Sequence, residues 1–161
     1  MQLLELADWA PTHGRTEPWR FFVYKDEALK KFGKDHAELY KQSTTEETYN
    51  NDQYEKLLRY VEKPSHLIIA VMKRGSNPKI GQLEETCAAS TAIENILLAA
   101  TSLGIASMWS TGGMTHDDSM KKYLGLADED IVLGLLYLGY SDEPNRVGKR
   151  NVPLNEKVKW M

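Results

Sequence analysis

The sequence predicts a protein of mixed helix and strand, of α+β or α/β class. Three observations carry that reading. Residues 19–24 (WRFFVY), 66–72 (HLIIAVM), 105–109 (IASMW) and 131–140 (IVLGLLYLGY) are short runs of apolar, branched and aromatic side chains, the composition of strands. The stretches between them carry apolar residues at the spacing of a helix face. No strand leads into a GxGxxG or GxxxxGKS/T turn, so neither a dinucleotide-binding Rossmann site nor a P-loop is expected.

Each element has its own signal. Leu3, Leu4, Leu6, Ala7 and Ala10 repeat at helical spacing, and Pro11 ends that first helix. Gly14 and Pro18 make residues 12–18 a loop ahead of the first strand. Residues 25–41 return to helical spacing through Ala28, Leu29, Phe32, Ala37, Leu39 and Tyr40. Residues 43–63 are polar and charged, with Tyr54, Leu57, Leu58 and Val61 on a helical repeat. An amphipathic helix is expected there, and the polar residues 43–53 ahead of it are a lid candidate. Pro64 and Ser65 break the helix before the second strand, and residues 73–81 read as a loop. Residues 82–103 carry the strongest helix signal, with Gly104 as the C-terminal cap. This helix is apolar nearly all round, which predicts burial on most sides, within the domain or against a partner subunit. Thr115 is expected to cap a short helix through Tyr123, and Pro144, Gly148 and Pro153 oppose any continuous element after Ser141.

The chain has 161 residues, the length of one domain, and is read as a single domain over 1–161. Lys and Arg total 20 against 23 Asp and Glu, a formal net charge of −3, which argues against nucleic acid as a partner. No apolar run is long enough to span a bilayer, so no membrane partner is expected. Cys87 is the one cysteine, which excludes an internal disulfide and fits a reducing cytoplasm. The four histidines are widely spaced, so no metal site is expected.

Three clusters have chemical potential. The loop Ala10-Pro11-Thr12-His13-Gly14-Arg15-Thr16-Glu17-Pro18-Trp19 is dense in groups that hold an anion or a polar ring. Its plain reading is a proline-shaped turn with Trp19 in the core. Trp109-Ser110-Thr111-Gly112-Gly113 pairs hydroxyls with glycines that let backbone N–H groups approach a ligand. The plain reading is a tight turn with Trp109 in the core. Lys149 and Arg150, with Arg146 nearby, suit a phosphate or are simply a solvated basic tail. Cys87 reads as a structural cysteine, and Glu84 and Glu85 as residues that suit a helix start.

In this order and spacing, APTHGRTEPWRFFVY (10–24), ETCAASTAIENILLAATSLGIASMWSTG (85–112) and IVLGLLYLGY (131–140) resemble the flavin-dependent nitroreductase family, in its compact single-domain form. The resemblance implies an α+β fold with a central, mostly antiparallel sheet flanked by helices, built as an interlocked homodimer with FMN at the interface. It implies a C-terminal segment reaching across to the partner. The implied cofactors are FMN and NAD(P)H, the latter as electron donor to a small-molecule acceptor of nitroaromatic or quinone type. His13, Arg15 and Glu17 match the first flavin-contacting loop, Trp109, Ser110 and Thr111 the second, and Lys149 and Arg150 the phosphate contact. Trp9 stands where some relatives carry a basic flavin contact. No catalytic acid or base is nominated, because the flavin carries the chemistry. The Arg-rich helix that relatives carry upstream is not in this sequence, so the expectation is either a sequence truncated ahead of Met1 or flavin binding that is weak or absent. Two other readings follow from the same resemblance: a flavin-free dimer with an interaction or regulatory role, and a dehydrogenating or dehalogenating flavin enzyme.

Overall fold

The computed structural model describes residues 1–143 and 147–161, so Pro144 and Arg146 lie outside the described residues. The element order is α1 (Gln2–Ala7), β1 (Trp19–Lys25), α2 (Asp26–Ser43), α3 (Asn51–Arg59), β2 (His66–Met72), α4 (Gln82–Ser102), β3 (Ala106–Ser110), α5 (Asp118–Leu124) and β4 (Ile131–Gly139). The strands form one sheet in the order β1-β2-β4-β3, with every neighbouring pair antiparallel. This is the α+β arrangement, and helices flank the sheet on both faces.

The unbroken apolar runs of the central strands follow from that layering. Ile68, Ala70 and Met72 of β2 face Ala88, Ala92, Ile93 and Ile96 of α4. Leu67, Ile69 and Val71 face Leu29 and Phe32 of α2 and Met120 of α5. A strand buried on both faces loses the polar half of its alternation.

Local chemistry sets the helix ends. The Asn50 side chain accepts N–H bonds from Asp52 (2.8 Å) and Gln53 (3.2 Å), which starts α3. α4 ends in a Schellman motif: Ile105 N–H bonds Ala100 O at 2.8 Å and Gly104 N–H bonds Thr101 O at 3.1 Å, with Gly104 at φ +70°. Two expectations need correction. α1 stops at Ala7, because the chain tightens into a turn through Trp9 and Ala10 before Pro11 is reached. Asp117, not Thr115, caps α5, accepting Ser119 N–H at 2.9 Å, while the buried Thr115 hydroxyl donates to Gly112 O at 2.6 Å. Within the single chain α4 is buried on one side: Leu83 (75% exposed), Cys87, Glu94 and Leu98 (61%) form an exposed stripe, so Cys87 lies outside the chain's own core.

The register decides what shares an end of the sheet. Trp19 pairs with Met72, and Met72 pairs with Ile131, so residues 8–18, 73–81 and 125–130 emerge together. β3 is shorter and ends with Ser110 opposite Leu135. Residues 111–117 then run along the open edge of β4 toward the same end, where the His116 ring nitrogen meets Val132 O at 3.0 Å.

Candidate functional site

The first half of the site is the segment between α1 and β1. Thr12 and Thr16 share a hydroxyl bond of 3.1 Å, and Glu17 N–H bonds Thr12 Oγ1 at 3.3 Å. Arg15 and Glu17 both take left-handed backbone, at φ +55° and +43°. Non-glycine residues hold that conformation at a cost, so the surrounding contacts must enforce it. Two of those contacts are clear. Buried Trp19 donates its indole N–H to Asp8 at 2.9 Å, and the Arg20 guanidinium donates to Glu17 O at 2.9 Å and Trp19 O at 2.7 Å. An open groove of about 430 Å³ lies here, with Leu4, Asp8, Glu17, Arg20 and Phe21 on its walls.

His13 reaches α4 from this segment. Its Nδ1 lies 2.8 Å from Glu84 Oε1, while the other Glu84 oxygen accepts Gly81 N–H at 2.8 Å. Those bonds, the Gly81 amide first and His13 second, hold the Glu84 carboxyl below its ordinary pKa. Below them lies a buried network that sequence reasoning missed. Arg74 pairs with Glu85, which is 1% exposed, and donates to Ile80 O at 2.7 Å; Gly75 N–H adds a bond of 3.2 Å to Glu85. Glu85 therefore does more than suit a helix start.

The second half is the turn after β3. Trp109 does not follow the plain reading of a tight turn with its ring in the core. It is 39% exposed and lies across Gly134 of β4, its indole N–H bonding Leu133 O at 3.1 Å. Gly112 N–H bonds Ser110 Oγ at 3.2 Å, and Met114 N–H bonds Nε2 of buried His36 at 2.9 Å. Burial lowers the His36 pKa to about 4, so the ring is neutral and Nε2 accepts. Ser110 is half-buried and Thr111 exposed. His36 also escaped sequence reasoning, although it sits four residues after Phe32 on the apolar face of α2, the one available signal.

The remaining expected residues stand apart. Lys149 and Arg150 are exposed on the C-terminal segment, with Arg150 bonded to Lys149 O at 3.3 Å. Trp9 is 85% exposed beside the first loop. β1 and β3 are opposite edges of the sheet, so the loop of His13, Arg15 and Glu17 leads into one edge strand and the turn of Trp109, Ser110 and Thr111 leaves the other. Within one chain the two halves do not meet. Among the described residues no group of acidic, His and Cys side chains is arranged to hold a metal, and no helix is long and apolar enough to cross a membrane. The lid candidate 43–53 is tied down, with Asn50 N–H bonded to Tyr40 Oη at 2.9 Å and the Tyr49 ring 5.9 Å from Tyr40.

The profile of the Nitroreductase family matches residues 1–140. The chain belongs to the nitroreductase family. A nitroreductase relative of 30% identity, YfhC of Bacillus subtilis, aligns with 100% of the chain and 81% of its own length, and its name assigns it to the NAD(P)H nitroreductases. A solved nitroreductase-like protein from Bacillus cereus superposes with a TM-score of 0.82 at 26% identity, covering 99% of this chain and 82% of that one. The fold is also that of NfnB from Mycobacterium smegmatis, an FMN-dependent nitroreductase solved with NADPH, at TM-score 0.73 and 17% identity over 99% and 86% of the two chains.

Proposed function

We propose that this nitroreductase-family chain works as a homodimeric, FMN-dependent NAD(P)H oxidoreductase that reduces nitroaromatic or quinone-type acceptors in the cytoplasm. One observation carries the reading. The two flavin-loop candidates run toward the same end of the sheet, one leading into edge strand β1 and the other out of the opposite edge strand β3, which suits a cofactor clasped by one loop of each protomer. The stripe of Leu83 and Leu98 on α4 and the exposed Leu154 (75%) and Trp160 (92%) of the C-terminal segment give a second copy apolar surface to cover.

The residues fit FMN by chemistry. The Gly112-Gly113 turn offers backbone without side chains, and Ser110 and Thr111 offer hydroxyls for the ribityl chain or ring oxygens. Arg15, Lys149 and Arg150 are exposed cations suited to the phosphate and to negative charge on the reduced ring. When bound, FMN supplies the two-electron chemistry, taking hydride from NAD(P)H and passing it to the acceptor in alternate half-reactions. The chain's own work is orientation. Glu84 holds His13 at the mouth of the first loop, and Trp109, spread over Gly134, walls the second.

The test is the visible spectrum of the purified protein under anaerobic conditions. Bands of bound flavin that bleach with NADPH and return on addition of a nitroaromatic or a quinone support the reading. A protein that stays colourless with excess FMN, or whose flavin is not bleached by NADPH or NADH, overturns it.

A further inference from the structure

We propose that His36 is a positioning residue for the flavin-contacting turn, with its Nε2 fastening the Met114 amide and so setting where Ser110 and Thr111 stand. The inference rests on the reading of that turn as a flavin contact.

The turn cannot fix its own place. Its internal bonds, Gly112 N–H to Ser110 Oγ and Thr115 Oγ1 to Gly112 O, give it a shape but do not attach it to the helical layer. Two contacts attach it there: the Met114 side chain packs in the cluster of Leu29 and Phe32 of α2, and the Met114 N–H, the backbone contact of the two, makes a 2.9 Å bond to His36, buried on the same 18-residue helix. Packing makes the fit close. Gly113 sits at φ +65° against the ring, where an added Cβ would stand 2.6 Å from Nε2 and 2.7 Å from Leu57. The Phe32 ring backs the imidazole with a centroid distance of 5.4 Å. Accepting at Nε2 requires the tautomer protonated at Nδ1, and the burial that keeps the ring neutral keeps that lone pair available. Sequence, helix face and turn are thus linked: Phe32 and His36 are one helical turn apart, and Gly113 is the residue that lets the ring reach the amide.

The experiment compares unsubstituted protein with His36→Leu and His36→Gln, reading amide hydrogen exchange of residues 112–115 without FMN, then the FMN dissociation constant. Loss of the acceptor is expected to speed exchange at Met114 by about tenfold and to raise the FMN dissociation constant by a similar factor. Gln, which retains an acceptor oxygen, restores both in part. Unchanged Met114 exchange in His36→Leu overturns the proposal, as does a Gln variant no better than Leu. Should His36→Leu fail to fold, a ¹⁵N–¹⁵N coupling across the hydrogen bond from Met114 to His36 in unsubstituted protein decides the contact, and its absence overturns the proposal. Ser110→Ala and Thr111→Ala run in parallel. If they weaken FMN binding and His36→Leu does not, the positioning role falls while the flavin reading stands. If none of the three changes FMN affinity, the flavin reading of this turn falls, and the positioning role with it.

Discussion

Half-buried Arg74 and fully buried Glu85 form an ion pair that ties the loop after β2 to the first turn of α4, directly under the segment that presents His13. The link is continuous. The Arg74 guanidinium also holds Ile80 O at 2.7 Å, and the Ile80 side chain fills the space where a Gly14 side chain would stand. Asp130, 4% exposed, pins the same loop from β4's side by accepting Arg74 N–H at 2.8 Å. One loop therefore braces both ends of the His13–Glu84 bond.

Replacing Arg74 by Met should destabilise the fold by about 3–5 kcal/mol, because the Glu85 carboxylate would stay buried without its countercharge. Adding Glu85→Met to Arg74→Met should recover part of that loss, since a buried pair exchanged for apolar side chains is often close to neutral. Urea unfolding of the single and double variants checks the sign. A double variant no more stable than the single one would contradict it.

Gly134→Ala should dislodge Trp109. The added methyl group overlaps the indole Nε1 and Cδ1 positions, so the ring must leave Gly134 and give up its bond to Leu133 O. Overpacking of this kind costs about 1–3 kcal/mol. The assigned Trp109 indole N–H resonance should move, and the urea midpoint should fall.

Much of the fold was legible because its determinants are local or periodic. β2 reads directly as HLIIAVM because both of its faces are buried, and Gly104 reads as a cap because the left-handed C′ position favours glycine. What escaped was decided by tertiary pairing. Glu85 and Glu84 are identical in type and adjacent in sequence, yet a helix turns neighbouring side chains about 100° apart, so one meets Arg74 in the interior and the other His13 at the surface. The plain reading put Trp109 in the core because it ends an apolar strand. β3 is an edge strand with Met108 48% exposed, and the sequence of a single strand does not state its place in the sheet. The candidate site was proposed from its loops, through their His, Arg, hydroxyl and glycine content. That the loops join opposite edge strands was not legible, since strand order is a property of the whole chain.

Acid should weaken the fold through His36. Its folded pKa of about 4 lies below the ordinary value of 6.5, so between those values the unfolded chain binds the extra proton. Stability from this group is complete above about pH 6.5, declines as pH falls toward 4 and levels off below it, for a total of about 3 kcal/mol. Urea unfolding free energies at pH 7 and pH 4.5 should differ less in His36→Gln than in the unsubstituted protein. Equal differences would contradict the assignment.

If a second copy covers the α4 stripe, Leu98→Glu should separate the protomers. Leu98 is 61% exposed in the single chain, so the substitution is cheap for the monomer and costly only where the residue becomes buried. Sedimentation should show a lighter species with unchanged far-ultraviolet circular dichroism. FMN affinity should fall in parallel, because each proposed site needs both protomers.

Lys149 and Arg150 allow a test specific to the phosphate. Both are exposed and neither is in an ion pair among the described residues, so neutralising them leaves no buried charge behind. If they grip the FMN phosphate, Lys149→Gln and Arg150→Gln should each raise the FMN dissociation constant by roughly tenfold or more, the worth of a charge-assisted hydrogen bond. Riboflavin has the same ring and ribityl chain without the phosphate, so its affinity should be unchanged by either substitution. The effect should also shrink as salt rises, because exposed charges are screened. Equal losses for FMN and riboflavin would place these residues elsewhere on the flavin, and no loss for either would leave Arg15 as the phosphate-binding candidate.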